Sequence, residues 1–144
     1  MTVKLRQYAK LFKSKPCDPA IKWLLTQPDA ETAWNSCPRG DWLWWGLRNS
    51  DKHPTKNQSV AFANRCVDAA RKHAADAADA ADAAAYAAAY AAYAAAAAYA
   101  AAYAAYAAAD AAADAAADAA DAERLAQAEW IRENIPMPES WMTK

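Results

Sequence analysis

The side chains with soft-metal chemistry are His53, His73, Cys17, Cys37 and Cys66, and none stands at zinc-finger spacing from another. No nucleophile–base pair, HExxH pattern or phosphate-cradling glycine loop occurs, and the only glycines are Gly40 and Gly46. These residues predict no enzyme, no cofactor and no metal site. Three cysteines, an odd number without a CxxC pair, argue against a disulfide framework. Arg39-Gly40-Asp41 spells an adhesion tripeptide, but Asp41 is well placed as a helix cap. Asn57-Gln58-Ser59 is a formal glycosylation sequon and reads more simply as a polar loop ending at a serine cap.

Two patterned sets remain. Tyr86, Tyr90 and Tyr93 are spaced four then three, and Tyr99, Tyr103 and Tyr106 repeat that spacing. Each triplet makes one helical stripe. An offset of thirteen residues turns the second stripe roughly 220° from the first, so a straight helix cannot carry both on one face. Asp76, Asp79, Asp82, Asp110, Asp114, Asp118 and Asp121 flank the tyrosines. About Ala96 the whole pattern is nearly palindromic, as an antiparallel pairing would require, between two chains or within one chain bent back on itself. The plain reading of the aspartates is a solvated face that keeps an alanine helix soluble, and the sharper one is mimicry of nucleic-acid phosphates. For the tyrosines the two readings are helix packing and a partner-binding stripe.

The elements that must position these sets differ sharply along the chain. Between Ala74 and Ala122, 36 of 49 residues are alanine, and the rest are seven aspartates and six tyrosines. Neither glycine nor proline occurs from Ser59 to Asn134. Propensity therefore predicts one continuous helix over 59–134, on the order of 110 Å long, with a helical hairpin bent within Ala94 to Ala98 as the alternative. Ile135-Pro136 and Pro138 end it and leave 135–144 as a tail. In its last turns Glu123, Arg124, Glu129, Arg132 and Glu133 read as surface chemistry, with Leu125, Trp130 and Ile131 as anchors.

Residues 1–58 read as a basic, Trp-rich head of short helices without strands. Thr2 is placed to cap a helix over Val3 to Lys13, Asp18 one that continues through Pro19 to Leu25, Asp29 one through Trp34, and Asp41 one from Trp42 to Leu47. Trp23, Trp34, Trp42 and Trp45 are expected to supply most of the buried area. The fold class is thus all-α. Residues 1–73 carry net +7, residues 74–122 net −7 and residues 123–144 net −1. A basic head and an acidic rod favour association between copies, so a homo-oligomer is expected. Aspartates interrupt both ends of the alanine run and tyrosines its middle, so no membrane span is expected. The N-terminus lacks a signal-peptide pattern, and a cytoplasmic location follows as the expectation.

The segment Thr32-Ala33-Trp34-Asn35-Ser36-Cys37-Pro38-Arg39-Gly40-Asp41-Trp42-Leu43-Trp44-Trp45 resembles a known family. It is similar to the predicted immunity proteins of bacterial polymorphic toxin systems, type five, whose members and phage relatives carry A-W-x-x-C-x-R-x-D-W-L-x-W segments. Some of those relatives have alanine-rich stretches with interspersed aspartate and tyrosine. The resemblance implies an all-helical protein that neutralises a toxin by binding, with no catalytic residues. It makes Trp34, Cys37, Asp41, Trp42 and Trp45 the shared motif, as scaffold residues, and matches Arg65-Cys66 to a second, cysteine-containing helix.

Together these readings predict a non-enzymatic binding protein of bacterial or phage origin that inhibits a toxin or host-defence protein, with the rod as contact surface. The rivals are a self-assembling rod or filament, a nucleic-acid-mimicking decoy and an ice-binding alanine helix. Direct nucleic-acid binding by the head is not expected, because its basic residues follow no pattern.

Overall fold

The computed structural model describes residues 7, 10–74, 78–93, 98–116 and 118–142. They form helices α1 (Asp18–Leu24), α2 (Ala30–Ser36), α3 (Gly40–Arg48), α4 (Lys56–Ala74), α5 (Ala78–Tyr93), α6 (Ala98–Ala115), α7 (Ala119–Asn134) and α8 (Glu139–Met142). Among the described residues there is no strand, and the protein is all-α.

Local chemistry sets most helix ends. Asp29 caps α2, its Oδ1 accepting the Thr32 N–H at 2.7 Å, and that bond holds the Asp29 carboxyl below its ordinary pKa. Other caps differ from expectation by a residue or more. Cys17 is the N-cap of α1, so Asp18 stands in the first turn, where its charge still faces the positive helix end. Arg39 is the N-cap of α3, which frees Asp41 for an ion pair instead. At α4 the expected serine cap gives way to a reciprocal box. The Thr55 hydroxyl accepts the Gln58 N–H at 3.1 Å and the Gln58 side-chain oxygen accepts the Thr55 N–H at 2.8 Å. Ser59 is buried within the first turn. Helix α7 stops where Ile135 turns extended before Pro136, as the clash with a following proline ring requires. The Thr2-capped helix lies largely outside the described residues, and Lys10 and Leu11 form a turn.

The single helix over 59–134 is not what the chain forms. That stretch is divided among α4, α5, α6 and α7, none longer than the 19 residues of α4. Helices α5 and α6 pack along each other, α4 packs on both, and α7 packs against α6 and α3. Propensity favours helix at every alanine but carries no information about where a helix should stop. An isolated alanine rod leaves its apolar surface wet, whereas folding into neighbouring helices removes it from water. Ala80, Ala87, Ala101, Ala104, Ala108 and Ala111 are accordingly buried, in one core with Phe62, Cys66 and Val67. The expected bend falls largely on residues 94–97, outside the described residues.

Aromatic rings join this alanine core to the head. Trp44, absent from the four tryptophans expected to dominate, is fully buried. It stacks on Phe62 of α4 at 4.5 Å, and Phe62 meets Trp130 of α7 at 5.6 Å. Trp23, Trp42 and Trp45 remain partly exposed. Of the three α7 anchors, Ile131 is buried and Trp130 half-buried, while Leu125 is exposed. Among the described residues no helix is long and apolar enough to cross a membrane.

Candidate binding site

The tyrosines end mostly in water. Tyr86 and Tyr93 are each 65% exposed, Tyr99 51%, Tyr103 45% and Tyr106 42%, whereas Tyr90 is half-buried against the core. Because α5 and α6 lie side by side, the two triplets meet although no straight helix would let them. Tyr90 and Tyr103 stack with centroids 4.9 Å apart and planes 24° from parallel. Tyr99 and Tyr106 stand edge-on to Tyr103 at 6.0 and 6.1 Å. Such geometry suits the ring quadrupole and adds about 0.5–1.5 kcal/mol per pair beyond area burial. The result is a braced ladder of rings on an alanine surface. Asp82, Asp110, Asp114, Asp118 and Asp121 are also exposed, and Asp121 pairs with Arg124 at 3.1 Å. Asp76 lies outside the described residues, as does the side chain of Asp79.

The ladder runs into the head. Tyr106 lines a cavity of about 290 Å³ whose other walls come from nearly every head element and from α8. Trp34, Trp141, Phe12 and Trp45 follow one another around it, with centroids 5.7, 5.6 and 5.2 Å apart in that order. Trp23 and Trp42 face each other at 5.9 Å. All five motif residues, Trp34, Cys37, Asp41, Trp42 and Trp45, line this space. Arg39 is the polar element of the wall. Its guanidinium lies 4.7 Å above the Trp42 ring and donates twice to the Asp41 carboxylate, at 3.0 and 2.6 Å. That bond raises the Arg39 pKa further. Asp41 is buried, so the adhesion tripeptide is not presented. Burial, followed by the charge of Asp41, raises the pKa of the Tyr106 hydroxyl.

No known protein family, curated protein or solved structure matches the chain.

Sequence reasoning missed a second polar constellation. Arg65 of α4 forms a bidentate ion pair with Glu123 of α7, whose Oε1 also accepts from Gln127 Nε2 at 3.1 Å. Gln127 Nε2 donates again to the Ala105 carbonyl of α6, also at 3.1 Å, so one fully buried side chain ties α7 to α6. Burial opposes the Arg65 charge, but the hydrogen bond and charge of Glu123 outweigh it, and the pKa rises. Glu123 is thus buried rather than surface chemistry. Arg132, also read as surface, donates to the carbonyls of Trp34 and Cys37 at 3.3 and 2.9 Å. It closes the C-terminal end of α2, where a cation is favoured. The available signal was the Glu123–Gln127 spacing of four, which puts two polar groups on one helix face.

All three cysteines are free. Burial pushes the Cys37 thiol up to about 11 and the Cys66 thiol up to about 12, while Cys17 is exposed. Among the described residues no cluster of His, Cys, Asp and Glu is arranged to hold a metal.

Proposed function

We propose that this chain is a non-enzymatic helical binding protein of bacterial or phage origin that neutralises a toxin or host-defence protein by contact. The contact surface is the tyrosine face of α5 and α6, with these helices antiparallel about Ala96. The observation that carries this reading is five large aromatic side chains held 42–65% exposed on a surface otherwise built of alanine and aspartate. Tyrosine offers large contact area at low rotamer cost, and rings braced against each other lose less freedom on binding than free ones. Exposed aspartates beside the ladder favour a partner with a basic face. The head motif and its resemblance to immunity proteins point to the same class of function.

The test is pull-down of the tagged chain from bacterial lysate, with and without phage infection, in parallel with a Tyr99→Ala/Tyr103→Ala double variant of unchanged circular dichroism. One stoichiometric toxin or defence protein, retained in high salt and lost in the variant, is the expected result. Equal capture by both proteins would dismiss the tyrosine face. Recovery of the chain alone would replace inhibition with self-assembly.

A further inference from the structure

We propose that the tyrosine face is built to receive arginine side chains, so that its partner is a protein surface presenting at least two of them. Each arginine lies in a slot between a tyrosine ring and the aspartate one helical turn away, Tyr86 with Asp82 on α5 and Tyr106 with Asp110 on α6. The inference rests on the reading of this face as a contact surface and names what that surface selects.

Three observations carry it. Around the axis of α6, Tyr99, Tyr103, Tyr106 and Asp110 fall within about 60° of one another, and on α5 Asp82 lies about 40° from Tyr86. Side chains four apart on a helix have Cβ atoms roughly 5–6 Å from each other, so a flat group resting on either ring reaches the carboxylate beside it. Tyr86 meets no other ring among the described residues, which leaves its faces open to a guest.

Nothing within the chain pairs with these carboxylates. No lysine, arginine or histidine occurs from residue 74 to residue 123, and among the described residues neither Asp82 nor Asp110 forms an ion pair. Arg48, whose charge reaches Tyr106, pairs with neither. Any cation that binds them directly comes from another molecule.

The head already assembles the same three kinds of group. Arg39 rests on the Trp42 ring while it forks onto Asp41. A guanidinium does both at once because it is planar and weakly hydrated and carries its donors in a fixed fork, whereas an ammonium is a strongly hydrated point charge. Slots made of a ring and a carboxylate therefore distinguish arginine from lysine, which charge attraction alone does not.

The experiment titrates the full chain into two fluorescein-labelled, alanine-based helical peptides of equal charge, one with arginine at every fourth position and the other with lysine there. Fluorescence anisotropy should show saturable binding of the arginine peptide, about tenfold tighter than the lysine peptide. Tyr86→Leu/Tyr106→Leu, with unchanged circular dichroism, should erase that preference. Asp82→Asn/Asp110→Asn should weaken the arginine peptide about tenfold, and Asp118→Asn/Asp121→Asn, which removes equal charge away from the rings, by less than about threefold. Absence of saturable binding, equal affinity for the two peptides, or equal losses in the two aspartate variants would overturn the slots. The assay needs no captured partner. A toxin captured through Tyr99 and Tyr103 without arginine preference would refute the slots alone, and arginine preference without any captured toxin would refute the inhibitor reading alone.

Discussion

Substituting Gly40 by alanine sets two effects of opposite sign against each other. Alanine is the better helix former, by up to ~1 kcal/mol in a helix interior and by less at a first turn. Gly40, however, is the first residue of α3 and lies directly under α7. A Cβ there would be 2.3 Å from Gln127 Cβ and 2.8 Å from both Gln127 C and Ala128 N. Ordinary carbon contacts need ~3.5 Å or more, so α3 must retreat by roughly 1 Å. Backbone atoms of α7 cannot yield as a side-chain tip would, and α3 carries Trp44 and Leu47, both at most 1% exposed. Overpacking of this kind costs typically 1–3 kcal/mol. The net expectation is a loss of ~1–2.5 kcal/mol, or about 3–10 °C in Tm for a chain of this size. Gly46→Ala is the control, because its Cβ would meet Trp141 Cη2 at 3.0 Å and Phe12 Cε1 at 3.4 Å. Those are ring edges beside a cavity into which they can move, so that variant should stay within about 1 kcal/mol of the parent. Urea unfolding followed by circular dichroism and tryptophan fluorescence measures both. A Gly40→Ala protein as stable as the parent, or less damaged than Gly46→Ala, would refute the reasoning.

Glu123→Ala leaves the Arg65 guanidinium without its partner and removes an acceptor from Gln127. Removing one member of a buried pair costs about 3–5 kcal/mol, and the 20% exposure of Arg65 reduces the expected loss to ~2–3 kcal/mol, again read by urea unfolding. Thiol labelling with iodoacetamide at pH 8 should modify Cys17 in the folded protein and Cys37 and Cys66 only after denaturation, and equal rates at all three would contradict the burial described. Asp29→Ala should lower stability at pH 7 through loss of the cap. Because the folded pKa of Asp29 is depressed, its contribution is present above the unfolded value of about 3.9 and lost as pH falls through the folded value. The gap should therefore begin to close below about pH 4 and be gone once the pH is below the folded value, and a gap as wide there as at pH 7 would count against the cap.

The all-helical class was legible because no segment alternates with period two and alanine dominates the second half. The Asp29 cap and the stop at Ile135-Pro136 were legible because each is decided by a few neighbouring atoms. The division of residues 59–134 was not, since Ala63 or Ala104 looks the same in sequence whether buried or exposed. In an alanine-rich segment the hydrophobic periodicity that marks a core face is nearly flat. The meeting of Tyr90 with Tyr103 depends on the placement of α5 beside α6, which the near-palindrome about Ala96 hinted at without choosing between one chain and two. In the head, the motif residues were visible, but their common cavity was not. Its closing wall, Trp141, is about a hundred residues away from Trp34 and Trp42 along the chain.

That separation bears on the order in which the protein can be made. Synthesis delivers the chain from its N-terminus, and most N-terminal units fold as they emerge. Here α1, α2 and α3 leave the ribosome early, yet the cation that closes α2 is Arg132 and the ring packed against both Phe12 and Trp34 is Trp141. Until Trp141 emerges, the cavity-lining indoles of the head face water or whatever binds them first. The nascent chain thus carries an open aromatic surface until Arg132 and Trp141 have emerged, and their arrival is the event that shuts it.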